Sequence, residues 1–354
     1  GGPDGRRLMS DARACVGRHQ SAARRRWNGV ASLGGEDLMR CAAGLALLGL
    51  LSGAGSGVAD RGAVSPPSGA ALAGVGATGA AAAVPGSDLP VARARRYRMA
   101  GRVRPLLFWF GRDDVGMARV VWRRDEAGRK GYEFLVGTDP ARAPRGLNRW
   151  GFIAERADEA GGAPLALMPR SHEAAYAEAA AGAGSGGNEL RAIRSRVGEG
   201  MASVEVSTVR GSSPFTVHDL DTAVTLVRRD AERALPGLRL DPGTRPGFLV
   251  SVAELLDRAV ADGPGSRGVM APVRYVFGRR LYDLRAGPPD RVAAALGTNR
   301  TAAVRLPFEI RNLSTGARTR FEITAGSEGD LRAVPVLIRW QPRWWLEVEL
   351  HLMP

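Results

Sequence analysis

The sequence predicts an α+β fold that is mainly antiparallel β: a curved sheet, a sandwich or a partly closed barrel, carrying two or three inserted helices. Three observations predict it. Val304, Leu306, Phe308 and Ile310 alternate with polar neighbours, and so do Val334, Val336, Ile338 and Trp340 and then Trp344, Leu346, Val348, Leu350 and Leu352. A period of two marks a strand with one buried face. Short turn signals separate these runs, Ser314-Thr315-Gly316 before Arg318–Thr324 and Gln341-Pro342 before Trp344, as hairpins require. Only a few segments place apolar residues at helical spacing instead.

Taken in order, large apolar side chains first gather over residues 97–110, at Leu106-Leu107-Phe108-Trp109-Phe110. Met117–Arg124 and Gly131–Val136 bracket Asp125-Glu126-Ala127-Gly128, which reads as a hairpin turn. Trp150–Glu155 and Leu165–Met168 are strand candidates, Ser171–Ala181 is helical, and Gly182–Asn188 is a flexible loop. Met201–Arg210 alternates through Val204, Val206 and Thr208. Asp221 is placed to cap a helix running to Arg233, with Val227, Ala231 and Ala234 on one face. Phe248, Val252, Leu255, Leu256 and Ala259 predict a second helix, with Thr244 and Pro246 as start signals. Beyond Val273 the chain reads as sheet, with Tyr275 and Tyr282 flanking a turn at Gly278.

The length of 354 residues and 44% apolar content support a sizeable core. Domain organisation follows from composition shifts. Met39-Arg40, the apolar run Cys41–Leu51 and the small-residue tail Ser52–Ala59 have the three-part layout of a secretory signal. At eleven residues the run is short of the roughly 20 needed to span a bilayer. The layout predicts upstream sequence over 1–38, a signal peptide over 39–59, a flexible Gly/Ala/Pro linker over 60–91, and a single β-rich domain over 92–354. The protein is then periplasmic or secreted, with no stable transmembrane span after processing. Both cysteines, Cys15 and Cys41, precede the expected cut, so the mature chain would carry no thiol.

The chain carries 50 basic against 36 acidic residues, a formal charge of +14. Lys130 is the single lysine. Phosphate-contacting surfaces normally use lysine as well as arginine, and the arginines are spread along the chain, as at Arg123-Arg124, Arg228-Arg229 and Arg279-Arg280. No nucleic-acid partner is expected.

The strings Gly111-Arg112-Asp113-Asp114-Val115-Gly116, Gly137-Thr138-Asp139-Pro140 and Asn148-Arg149-Trp150-Gly151, with the Trp340–Leu350 ending, resemble a family of exported, uncharacterised bacterial proteins with no assigned activity. The resemblance covers about residues 97–354. It implies export and one continuous domain, and no activity.

No complete catalytic motif is present. The glycine patterns at Gly74–Gly79 and Gly182–Gly187 have dinucleotide-binding spacing but lie in Gly/Ala filler, without the preceding strand and following helix that the fingerprint needs. His172-Glu173-Ala174-Ala175-Tyr176 has tyrosine where a zinc-protease helix needs its second histidine. No Gly-x-Ser-x-Gly elbow occurs. No cofactor is implied.

Three sets remain as candidates. Glu347, Glu349 and His351 share one strand face, where neighbours could hold a metal ion; the plainer reading is an outer face paired with Arg305, Arg311 or Arg339 across the sheet. His218, Asp219 and Asp221 place an imidazole beside two carboxylates, against a simple N-cap role. Asp113 and Asp114 sit in a Gly-bounded loop, where a turn role is favoured and Arg112 is the nearest cation. Trp340, Trp344 and Trp345 can stack on sugar rings or pack in the core.

The expected function is non-enzymatic binding of an apolar or amphiphilic ligand, such as a lipid of the cell envelope. The alternatives are a metal-assisted envelope hydrolase built on Glu347/Glu349/His351 or His218/Asp219/Asp221, and binding of an anionic glycan or lipopolysaccharide.

Overall fold

The computed structural model describes residues 84–104, 109–158, 161–169, 188–227, 233–262, 270–343 and 345–354. The expected signal peptide, the helix over Ser171–Ala181, both glycine patterns, both cysteines and Trp344 lie outside the described residues. Among the described residues no helix is long and apolar enough to cross a membrane.

Among the described residues fifteen strands form one antiparallel sheet. The first half is a meander of β1 (Val91–Val103), β2 (Phe110–Arg124), β3 (Lys130–Thr138), β4 (Trp150–Asp158), β5 (Gly161–Pro169), β6 (Glu189–Gly198), β7 (Met201–Arg210) and β8 (Arg233–Arg239). The second half comprises β9 (Val273–Phe277), β10 (Arg280–Ala286), β11 (Asp290–Leu296), β12 (Asn299–Asn312), β13 (Arg318–Gly326), β14 (Pro335–Arg343) and β15 (Leu346–Leu352). The last strand lies beside the first, from Tyr97 opposite Leu352 to Val103 opposite Leu346. The order across the sheet is therefore β8 to β1, then β15, β14, β13, β12, β10 and β9, with β11 on β12.

Alternation decides which face is buried. In β12 Val304, Leu306, Phe308 and Ile310 are all buried while Arg305, Pro307 and Arg311 are exposed. The same rule turns Tyr97 and Met99, Phe134 and Val136, Ile153, Phe321 and Ile323, and Leu350 and Leu352 into one apolar cluster. A single cluster fed by both halves of the sheet means that the sheet is curled around it. Helix α2 (Phe248–Asp262) occupies the concave side, touching β3, β4, β9, β10 and β12. A second cluster lies on the other face of the first half. Leu135, Phe152, Leu165, Leu167 and Leu190 are covered there by Phe215, Val217 and helix α1 (Leu220–Val227).

The curl is not closed by pairing between β8 and β9. The two ends share a small cluster of Ala202, Leu240 and Val276, and the backbone of Arg245 pairs with β9, Arg245 N–H to Arg274 O at 2.8 Å and Val276 N–H to Arg245 O at 3.1 Å. The expected α+β class with a curved, partly closed sheet is what is observed.

Several local expectations are corrected. Asp113 and Asp114 are not in a loop but inside β2, at a bulge where the register against β1 shifts between Met99 and Gly101; Asp114 takes φ 60°. An extra residue in one strand must bend it. The helix expected from Asp221 to Arg233 instead begins at Leu220 and ends within the described residues at Val227, and Ala234 belongs to β8. Pro236 and Gly237, inside β8, disfavour any helix that runs on past Ala234. Gln341 and Pro342 lie in β14 rather than in a turn. Strands β6 and β8 are not among those the sequence predicts, and β11 falls in the stretch beyond Val273 that reads as sheet. In the segment expected as linker, residues 84–90 form turns, and Leu89 is buried with its carbonyl accepting from Arg123 Nη1 at 2.9 Å.

Candidate functional site

The Glu347/Glu349/His351 set lies on the convex face of β15, as the period of two requires. Its neighbours are arginines. Arg339 on β14 reaches Glu349 Oε1 with Nε at 3.0 Å and Nη2 at 2.9 Å, and also Glu347 Oε1 at 2.9 Å. Arg102 on β1 approaches Glu349 Oε2 to 2.8 Å, and His351 Nε2 lies 3.1 Å from the same oxygen. Glu349 is 1% exposed in spite of its outer position, because these long side chains close over it. The His351 hydrogen bond, then those from Arg339, hold its carboxyl down at about 2, against the opposing cost of burial. Burial, and then the neighbouring Glu349, push Glu347 up. Guanidinium groups thus occupy the carboxylate oxygens that a metal would need, and the arrangement can brace the β14–β15–β1 junction. Of the cations expected to face this set, Arg339 does so; Arg305 instead pairs with Asp290 at 2.9 Å and Glu322 at 3.9 Å.

His218, Asp219 and Asp221 are not brought together. Asp219 accepts from Thr216 N–H and Thr216 Oγ1, both at 2.7 Å, and its carbonyl accepts from Ala223 N–H at 2.9 Å, so its side chain braces the turn that leads into α1. Asp221 is exposed in the first turn. His218 Nε2 instead lies 3.8 Å from Asp139.

Asp114 pairs with Arg142 at 2.5 Å, not with Arg112, and Arg142 also reaches Asp139 at 3.3 Å. Asp113 is exposed. The three strings that carry the family resemblance meet here, at one end of β2, β3 and β4. Asp139 N–H donates to Val115 O at 3.0 Å, Thr138 N–H to Arg149 O at 2.8 Å, and Trp150 Nε1 to Phe215 O at 3.1 Å. Their glycines serve close approach: a Cβ on Gly137 would stand 2.3 Å from Trp150 Cβ, and one on Gly116 2.1 Å from Gly137 O. This corner is structural, and its ion pairs are exposed. Trp340 is a core residue of the concave face, and Trp345 is half-buried at the last turn. Among the described residues no group of three His, Cys, Asp or Glu is placed to hold a metal ion.

The site that sequence reasoning missed is inside the curl. A cavity of ≈ 190 Å³ lies between α2 and the sheet. Its walls are Val120 and Trp122 of β2, Phe134 of β3, Leu249 and Val252 of α2, and Phe321 of β13, with Arg93, Asp257 and Arg332 also lining it. The α2 positions that line it, Phe248, Leu249, Val252, Ala253, Leu256 and Asp257, repeat at helical spacing and so form one stripe.

Glu155 fixes α2. It points inward from β4, 1% exposed, and accepts from Phe248 N–H at 2.8 Å and Val250 N–H at 3.0 Å. It thereby satisfies donors that the start of a helix leaves open, in place of the capping expected near Thr244 and Pro246. Gly247 permits the approach, since a Cβ there would stand 2.3 Å from the carboxyl. Burial pushes the Glu155 carboxyl up to about 7, opposed by hydrogen bonds from the backbone of Val250, Leu249 and Phe248. The signal in the sequence was a glutamate ending the apolar run Trp150–Ala154.

No family model matches the chain, and no curated protein matches it. Among solved structures it is similar to a β-barrel-like protein of a domain of unknown function, DUF1849, from Brucella abortus, with a TM-score of 0.36 and 9% identity over 73% of this chain and 95% of that one. At that level the likeness carries no argument, and the fold rests on the strand pairing above.

Proposed function

We propose that this is an exported protein of the cell envelope that binds an apolar or amphiphilic ligand, without catalysis, in the cavity between α2 and the concave sheet. The observation that carries the reading is the composition of the walls. Val120, Trp122, Phe134, Val252, Leu256 and Phe321 converge on unfilled space in a core that close packing would otherwise fill. An apolar cavity of about 150 Å³ is enough to stay dry and take up benzene, so this one is large enough for part of an apolar chain. The expected role of the Glu347 face in metal-assisted hydrolysis gains no support from its arginine partners, and no further reading is favoured.

The test is titration of the full chain with an environment-sensitive hydrophobic dye, beside the variant Ala253→Phe, which places a ring in the cavity from the half-buried face of α2. Saturable dye binding by the parent protein and its loss in a variant of unchanged melting temperature are expected. A parent protein that binds no dye, and carries no lipid through purification, would overturn the reading.

A further inference from the structure

The lining of the cavity carries charge as well as apolar side chains, at Arg93, Asp257 and Arg332. Several arginines elsewhere are ion-paired: Arg102, Arg123, Arg142, Arg274, Arg305 and Arg339 all have carboxylate partners within 4.0 Å. At the rim, Arg93 and Arg332 line the cavity itself, and Asp257 on α2 has Lys130, Arg332, Arg124 and Arg93 as its charged neighbours. None of these four cations makes an ion pair within 4.0 Å among the described residues, and Lys130 also acts on Glu254. Arg93 Nη1 donates to Arg332 O at 3.2 Å, which holds the two arginines at the same edge. The loop that carries Arg332 is held in an uncommon shape, with Ala333, another cavity residue, at φ 56°. A non-glycine residue in that region costs on the order of 1 kcal/mol and is found preferentially at binding and switch sites.

We infer that the ligand is a single-chain anionic amphiphile, its tail in the apolar cavity and its carboxylate or phosphate head on Arg93 and Arg332. This rests on the ligand-binding reading above and adds to it the charge and the number of chains. One chain follows from volume. The cavity of ≈ 190 Å³ lies below the roughly 300–1,000 Å³ of sites that enclose drug-sized ligands, so a two-chain lipid does not fit. An anionic head follows from these two guanidinium groups, which donate to backbone carbonyls but have no carboxylate within 4.0 Å, and guanidinium forms forked hydrogen bonds to carboxylate and phosphate alike.

The experiment is displacement of the hydrophobic dye from the full chain at physiological salt by decanoate, decyl phosphate, decanol, decyltrimethylammonium and inorganic phosphate. The anionic chains should bind about tenfold tighter than the cationic one, the increment expected for two half-exposed charge-assisted contacts. From hexanoate to decanoate each added methylene should tighten binding about fourfold until the cavity is full. Arg93→Gln and Arg332→Gln should each weaken decanoate and decyl phosphate by about three- to tenfold while leaving decanol unchanged. A preference between the two anionic heads separates a fatty acid from a single-chain phospholipid; either supports the inference. If all decyl chains bind alike and the arginine variants change nothing, the anionic assignment is overturned while the cavity reading stands. If no chain displaces the dye, or inorganic phosphate competes as well as decyl phosphate, both are overturned.

Discussion

Replacing Glu155 by glutamine should remove a pH dependence that the native fold carries. The carboxyl is fully buried against the start of α2, with its usual value of 4.5 raised to about 7, first by burial. A carboxyl raised in the folded state binds its proton more tightly there than in the unfolded chain. Folding is therefore favoured most below about pH 4.5; this stability declines as the pH rises toward 7, and the loss is complete above it. The shift corresponds to about 3 kcal/mol. Glu155→Gln cannot ionise. Its amide oxygen keeps one acceptor, and its NH2 group faces a second N–H donor, which costs about 1–2 kcal/mol at low pH. The variant should thus be the less stable protein near pH 5 and equal to or more stable than the parent above about pH 8. Urea unfolding of both proteins at about six pH values across that range, read as the difference between them, isolates this group, because every other titrating residue is common to both. A difference that varies by less than about 0.5 kcal/mol across the range would refute the assignment of a buried carboxyl whose burial outweighs its backbone hydrogen bonds at the start of α2.

Three other outcomes follow from the same structure. Glu349→Gln leaves Arg339 and Arg102 without their shared buried carboxylate and should cost about 3 kcal/mol near neutral pH by urea unfolding. Because its carboxyl is held at about 2 against a usual 4.5, the parent's advantage should be full above pH 4.5 and fade as the pH falls toward 2. Gly137→Ala drives a Cβ into Trp150 at 2.3 Å and should lower stability by about 3 kcal/mol or prevent soluble expression; an unchanged melting temperature would contradict the close approach of β3 and β4. Asp114→Asn removes an ion pair whose partners are 57% and 51% exposed and should shift stability by no more than about 0.5 kcal/mol, so a larger loss would mean that the β2 bulge depends on it.

The parts of this fold legible in the sequence are those in which one local pattern decides burial. β12, β14 and β15 each present one face to the core and the other to solvent, so Leu306, Ile338 and Leu350 announce their side by alternation alone. α2 was legible for the same reason at helical spacing. The strands that were missed lack a clean period. β6 is buried on both faces, Ile193 in the inner cluster and Leu190 and Ala192 in the outer one, so the alternation is lost. β11 falls in the stretch that reads as sheet, but Ala293, Ala294 and Ala295 give too little contrast to place it as a separate strand. The cavity was not legible because its walls come from β2, β3, α2, β13 and β14, and Arg93 meets Arg332 across 239 positions of chain. Nothing near either arginine marks it out among so many others; only its place in the lining of the cavity does, and that exists only after folding.

The open seam explains why a helix sits where a closed barrel would have only side chains. Had β8 paired with β9, the chain would have no way into the interior between them. Instead the segment that leaves β8 seals the gap in two steps, Leu240 packing with Ala202 and Val276, and Arg245 pairing its backbone with β9. It then turns inward at Gly247 to begin α2 against Glu155. The same Arg245 holds the helix from its side chain, with Nε 2.6 Å and Nη2 2.7 Å from the two oxygens of Glu254. Phe248 follows at once, its ring 5.8 Å from that of Tyr275 and 6.1 Å from that of Phe321, and so becomes a wall of the cavity. Sealing the sheet, anchoring the helix and shaping the cavity thus fall to residues 240–254, held at one end by β9 and at the other by the Glu155 carboxylate. A substitution that loosens either hold should therefore disturb the cavity before it unravels the sheet, since the strand ladder on both sides of the seam is complete without this segment.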